Sequence, residues 1–281
     1  MGANKGNMIN AMSIDLEDWF CVHNLSRAIR REDWDRCELR VYQSTMRVLD
    51  LLDKHSTRAT FFVLGWVAER LPELIREVER RNHEIAVHGY DHLLLTDITP
   101  REFEEDISRA LDAIARCGIE QRPLGFRAPS FTVVEKTRDW ALSTLEKYDF
   151  KYDSSVFPVG FHPDYGVPDA PLSPYRITER LIEFPMSCLE LFGRRLPFSG
   201  GGYFRLFPYA YTRYCMKKVN ASGRPVVFYL HPWELDAGQP RMKLPRTKEI
   251  RHYCNLDKTE RRLDALLGEF RFTTIKEVLG L

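Results

Sequence analysis

Apolar positions along the chain follow two rhythms. Short, nearly continuous apolar runs fall at residues 8–15 ("MINAMSID"), 59–65 ("ATFFVLG"), 84–88 ("EIAVH"), 123–129 ("PLGFRAP"), 150–156 ("FKYDSSV"), 181–184, and from 225 ("PVVFYLHPWE"). Each has the length and residue types of a buried β-strand. Between them lie helical stretches at 43–55, 72–81, 100–117, 136–147 and 209–221. Pro100 stands where a first helical residue belongs, with Glu102, Glu104 and Glu105 near the positive end of the helix dipole. Strands alternating with helices predict a parallel sheet, open or closed into a barrel, with helices outside.

The rhythm breaks at residues 158–174, "PVGFHPDYGVPDAPLSP", where five prolines in seventeen residues forbid a continuous helix or a central strand. A long excursion or lid is expected there, running to about residue 180. "SGGGYFR" at 199–205 reads as a loop, and the triple glycine permits positive φ or close backbone approach. The tail from 241 to 262 carries eight Lys or Arg against three acids, then leads through an amphipathic helix to "FRFTTIKEVL". A solvated face is its plain reading, and contact with an acidic polysaccharide the sharper one.

Composition changes this picture little. With 41 basic and 40 acidic residues, the formal charge of +1 gives no global attraction to nucleic acid or to anionic membranes. The six cysteines are scattered with no C-x-x-C pair, which points to a reducing compartment. No apolar run approaches the ~18 residues that span a bilayer, and the opening "MGANKGNMIN" lacks the apolar core of a secretion signal. A cytoplasmic setting is expected.

Polar residues at the carboxyl ends of the expected strands carry the candidate chemistry, because parallel α/β sheets bind ligands there. The first strand ends in Asp15, Glu17 and Asp18, the third in His88 and His92, the fourth in Arg127; Asp153 follows "FKY" and His231 follows "VVFYL". Singly, each has an ordinary explanation: a helix cap, a surface ion pair, a packed core histidine. Together, two imidazoles and a carboxylate make a three-ligand set for a divalent ion such as zinc, with positions left for water and substrate. Gly89 stands where the zinc-protease helix carries its glutamate base, so the base comes from elsewhere.

"TFFVLG", "HEIAVHGYDH", "GFRAPSF", "FKYDSSVFP" and "VVFYLHPWE", in this order, resemble the NodB-homology polysaccharide deacetylases, carbohydrate esterase family 4, over roughly residues 10 to 235. "SIDLEDWF", "SGGGYFRLFP" and "LHPWELD" resemble more narrowly the subgroup found with bacterial exopolysaccharide and exosortase clusters, which has its own C-terminal extension. The resemblance implies a NodB-like α/β fold, a distorted (β/α) barrel with fewer than eight regular units. A deacetylase domain over 1–235, with the excursion at 158–180, would be followed by an extension, 236–281, packed on the same domain. One divalent metal, Zn2+, is expected at the mouth, with His88 and His92 as ligands.

The resemblance further makes Asp15 the general base, Arg127 its orienting partner, His231 the general acid and Asp153 the acid that supports its imidazole. The family's first motif has two adjacent aspartates, base then ligand, but Leu16 occupies the second place here. The carboxylate ligand is then Asp18 or Glu17. Period-two alternation favours Glu17, whereas a strand stopping at Asp15 lets Asp18 swing in, and Asp18 is the reading adopted. Trp19, Phe131, Tyr203 and Trp233 are candidate sugar-binding aromatics, with core packing as the plain alternative. The implied substrate is an N-acetylated amino sugar of a bacterial polysaccharide or its lipid-linked precursor. The implied partner is a membrane-bound exopolysaccharide synthesis complex. The competing reading is a catalytically altered carbohydrate-binding or scaffolding relative, and the otherwise intact polar set speaks against it. A phosphate-ester hydrolase lacks its glycine-rich cradle or second metal cluster.

Overall fold

The computed structural model describes residues 8–160 and 165–281. Residues 1–7 and part of the Pro-rich excursion, 161–164, lie outside the described residues.

The strand β1, Ile9–Leu16, is buried from Asn10 onward. It is flanked in parallel by β2 (Thr60–Val63) and, on through the sheet, by β3 (Glu84–Val87), β4 (Gly125–Phe126) and β5 (Tyr152–Asp153). The short strands β6 (Tyr175–Arg176) and β7 (Ile182–Glu183) form an antiparallel edge pair, with β7 parallel to β5. A separate hairpin joins β8 (Cys188–Leu191) to β9 (Arg194–Pro197). β10 (Val227–Leu230) pairs with β1 on the other side, and β11 (Arg271–Thr273) pairs with the start of β1. The result is a nine-stranded sheet in the order β10-β1-β2-β3-β4-β5-β7-β6, with β11 joined to β1. It curls into part of a barrel with helices outside.

Alternation along β1 sorts its side chains between two cores. Met12, Ile14 and Leu16 join the large cluster between sheet and helices, with Val48, Leu49 and Leu52 of the helix Val41–Lys54. Ala11 belongs to the inner cluster with Phe62, Ala86, Phe131 and Tyr229. Ser13 and Asp15 share that inner face by the period of two. Leu16, wholly buried on the helix side, is therefore where no metal ligand can point.

The helix Pro100–Arg116 starts as its sequence suggests. Pro100 opens it, and Thr99 and Glu102 form a reciprocal capping box. "SGGGYFR" differs from expectation: Gly201–Leu206 is a short helix. Gly200, at φ 134°, lies against Tyr229, and a Cβ there would be 1.8 Å from the Tyr229 carbonyl oxygen. Only glycine permits this approach.

The final segment is integral to the sheet and its coverings. Leu256–Glu269 packs on the 3-10 turn Pro232–Leu235 and on Val41–Lys54. At the opposite end from the strand carboxyl termini, the helix Ile275–Leu279 places Ile275 in the inner cluster. Its first N–H groups donate to Thr60 Oγ1 at 2.8 Å and to the Glu84 carboxylate at 3.1 Å. No helix among the described residues is long and apolar enough to cross a membrane.

Candidate functional site

Because β1, β3, β4 and β10 run in parallel, their carboxyl ends share one rim, and the residues just beyond them meet over a cleft. Asp15 and Glu17, His88 and His92, and His231 all line it. Arg127 is fully buried beneath. Its Nη1 donates to Asp15 Oδ1 at 2.6 Å and to Ser13 Oγ at 2.9 Å, and its Nε donates to the Ser154 carbonyl at 3.0 Å. These bonds fix the Asp15 carboxylate and leave Oδ2 toward the cleft, 3.9 Å from His231 Nε2.

Glu17, His88 and His92 each offer a donor atom, and the three donors lie within 4.8 Å of one another. His88 Nδ1 lies 2.8 Å from the Arg127 carbonyl oxygen. That contact orients the ring and turns Nε2 to the cleft, as the outer hydrogen bond of a metal-ligating histidine does. His92, held at a positive φ of 55°, brings Nε2 to 2.9 Å from Glu17 Oε2. That oxygen is buried without an aligned hydrogen-bond donor. An orphaned carboxylate oxygen facing two imidazoles has the chemistry of a cation site, and the set fits one divalent ion.

The electrostatics suit ligation. Burial alone would raise the Glu17 carboxyl, but His92, His231 and His88 outweigh it and hold it down to about 2. Burial lowers His88 to about 4, so its imidazole is neutral near pH 7. For His231 burial again opposes charge, yet Glu234, Glu17 and Asp15 lift it to about 9.

Comparison with known proteins places this geometry. The family model described as "Polysaccharide deacetylase" matches residues 34–152, and the model described as "Domain of unknown function (DUF3473)" matches residues 154–280. Residues 34–152 carry a polysaccharide deacetylase domain. A peptidoglycan-N-acetylglucosamine deacetylase of Bacillus cereus is 30% identical over 97 residues, 34% of this chain and 35% of that protein. The chain thus aligns with about a third of the length of this curated relative. Among solved structures, a Mycobacterium smegmatis protein assigned to the polysaccharide deacetylases superposes with a TM-score of 0.59 at 19% identity, over 100% of this chain and 93% of that one. A carbohydrate esterase family 4 pseudoenzyme from Bacillus anthracis superposes with a TM-score of 0.51 at 14% identity, over 99% of this chain and 66% of that one. Both likenesses concern the fold, so its side chains must distinguish enzyme from inactive relative.

Three expectations about the site need correction. Asp18 is not among the clustered donors. β1 continues through Leu16, so Glu17 returns to the inner face while Asp18 turns away. Its Oδ1 accepts from Trp19 N at 2.8 Å, and its Oδ2 from Arg40 N at 2.8 Å and Val41 N at 2.9 Å. Burial pushes this carboxyl up to about 6 against those three N–H groups. Asp18 thereby caps the helix Val41–Lys54, whose own N-cap residue, Arg40, provides no side-chain bond.

Asp153 does not hold the His231 imidazole. Its Oδ1 accepts from Ser155 Oγ at 2.5 Å, and it shares a buried site with Glu183. Burial raises both groups; Asp153 raises Glu183 further, whereas the hydrogen bond with Glu183 lowers Asp153, so a proton shared beneath the cleft favours Glu183. The partner of His231 is Glu234, with Oε1 2.7 Å from Nδ1. Glu234 lies on the 3-10 turn that follows β10 and was missed in the sequence. The only signal is a carboxylate three residues after the histidine in "HPWE". Arg205 Nε donates to Glu234 Oε2 at 2.5 Å and Arg205 Nη1 to the His252 carbonyl at 2.6 Å. Trp233 stacks between the rings of His231, at 5.2 Å, and His252, at 4.6 Å.

Trp19 is the third correction. It is buried in the outer cluster, and its Nε1 donates to the Glu38 carbonyl. Phe131 and Trp233 line the cleft. Tyr203 stands behind Tyr165, hydroxyl to hydroxyl at 3.0 Å.

Proposed function

We propose that the protein is a metal-dependent hydrolase that removes N-acetyl groups from amino sugars of a saccharide chain. The observation that carries this reading is the convergence of Glu17, His88 and His92 beside an aspartate and a histidine on one rim. A zinc-type divalent ion held by these donors would lower the pKa of a bound water and polarise the acetamide carbonyl. Asp15 Oδ2 accepts the proton of the attacking water, while Arg127 keeps Oδ1 engaged. His231 delivers a proton from Nε2 to the departing amine. Its other nitrogen is held by Glu234, which favours the imidazolium required. Phe131 and Trp233 offer apolar walls for a sugar ring.

The finer parts of the reading are zinc as the ion, an exopolysaccharide or its lipid-linked precursor as substrate, and a cytoplasmic setting beside a membrane-bound synthesis complex. Six free cysteines fit a reducing compartment. The test is acetate release from N-acetylglucosamine oligomers, before and after chelation and after zinc is restored. Acetate release that stops on chelation and returns with zinc supports the proposal; release that persists in chelated protein contradicts it.

A further inference from the structure

Most charged groups at the cleft are already matched. Asp15 is bound by Arg127, Glu17 faces His92 and His231, and Arg205 is committed to Glu234 and the His252 carbonyl. Arg251 also lines the cleft. Among the described residues no carboxylate or carbonyl bonds its guanidinium. The side chain comes from the helix Arg246–Tyr253 of the tail and is partly buried. It passes Gly202, where an added Cβ would lie 3.8 Å from Arg251 Cγ, and enters the cleft on the side of Tyr165 and Tyr229.

An arginine that is partly buried and, among the described residues, left without an acceptor is poised for an anion. Its planar fork suits two oxygens of a carboxylate or phosphate better than the hydroxyls of a neutral sugar. We propose that Arg251 makes this cleft selective for acidic saccharides, binding a carboxylate or phosphate group carried near the N-acetyl group that is hydrolysed. This rests on the deacetylase reading and narrows its substrate class.

The test compares kcat/KM for acetate release from three substrates: neutral N-acetylglucosamine oligomers, alternating glucuronate–N-acetylglucosamine oligomers, and N-acetylglucosamine oligomers bearing a phosphomonoester. At least one acidic substrate should exceed the neutral one, and the better of the two identifies the anion. Arg251→Gln should lower the acidic-to-neutral ratio about tenfold or more, the range of a hydrogen bond to a charged group, and Arg251→Lys should recover part of it. The fold of each variant is checked by circular dichroism. Equal rates on acidic and neutral oligomers, or a ratio unchanged in Arg251→Gln, overturn the inference and leave the deacetylase reading standing. No acetate from any substrate with zinc supplied overturns both.

Discussion

Asp15 and Glu17 sit two residues apart on one face of β1 and have different tasks. Asp15→Asn should lower kcat about 10²- to 10⁴-fold, the usual contribution of a positioned base, while zinc binding by calorimetry stays near that of the parent. His88→Ala should lose both. Glu234→Gln removes the anion beside His231 and should shift the basic limb of the kcat/KM pH profile downward. The same pair bears on stability. His231 is raised from 6.5 to about 9, so its charged form stabilises the fold fully below about pH 6.5, and that contribution fades as pH rises through about 9. Thermal melts of metal-free protein from pH 6 to 10 should show this loss, and Glu234→Gln should flatten it. The gathering of Asp15, His88, Arg127 and His231 at the strand ends was legible in the sequence because each follows an apolar run directly or nearly so. The place of Asp18 was not legible, because it depends on whether β1 ends at Asp15, and that is set by pairing with β2 through Leu16. Glu234 escaped because its role needs the 3-10 turn after β10 and a guanidinium 29 residues upstream.

At the scale of elements, alternation along β1 accounts for the displaced ligand. Leu16 packs with the helices, so Leu16→Asp would restore the family's aspartate pair in sequence but place a carboxylate in an apolar layer. The expected outcome is a loss of about 3 kcal/mol or more in denaturant melts, with no gain in metal affinity. The strand and helix alternation was readable, with Pro100 marking its helix. The hairpin β8–β9 was not, because its turn uses Phe192 and Gly193 at φ 50° and 69° and lacks the usual Asn-Gly or Asp-Gly signal. The helix Gly201–Leu206 was hidden by three glycines, whose reason lies in the approach of Gly200 to Tyr229 across the sheet.

For the whole molecule, the segment after residue 235 belongs to the architecture of the site. It supplies the carbonyl that fixes Arg205, the ring that stacks on Trp233, a strand on β1 and the helix closing the far end. A chain ending at Leu235 should therefore lose its cooperative thermal transition by circular dichroism. The most direct measurement of the central claim is acetate release from N-acetylated saccharide as metal-depleted protein is titrated with zinc. Activity should rise to a plateau at one equivalent per chain, remain absent in Glu17→Gln, and reach the same one-equivalent break in Asp18→Asn. A plateau at two equivalents, or activity in Glu17→Gln matching the parent, would contradict a single centre built from Glu17, His88 and His92.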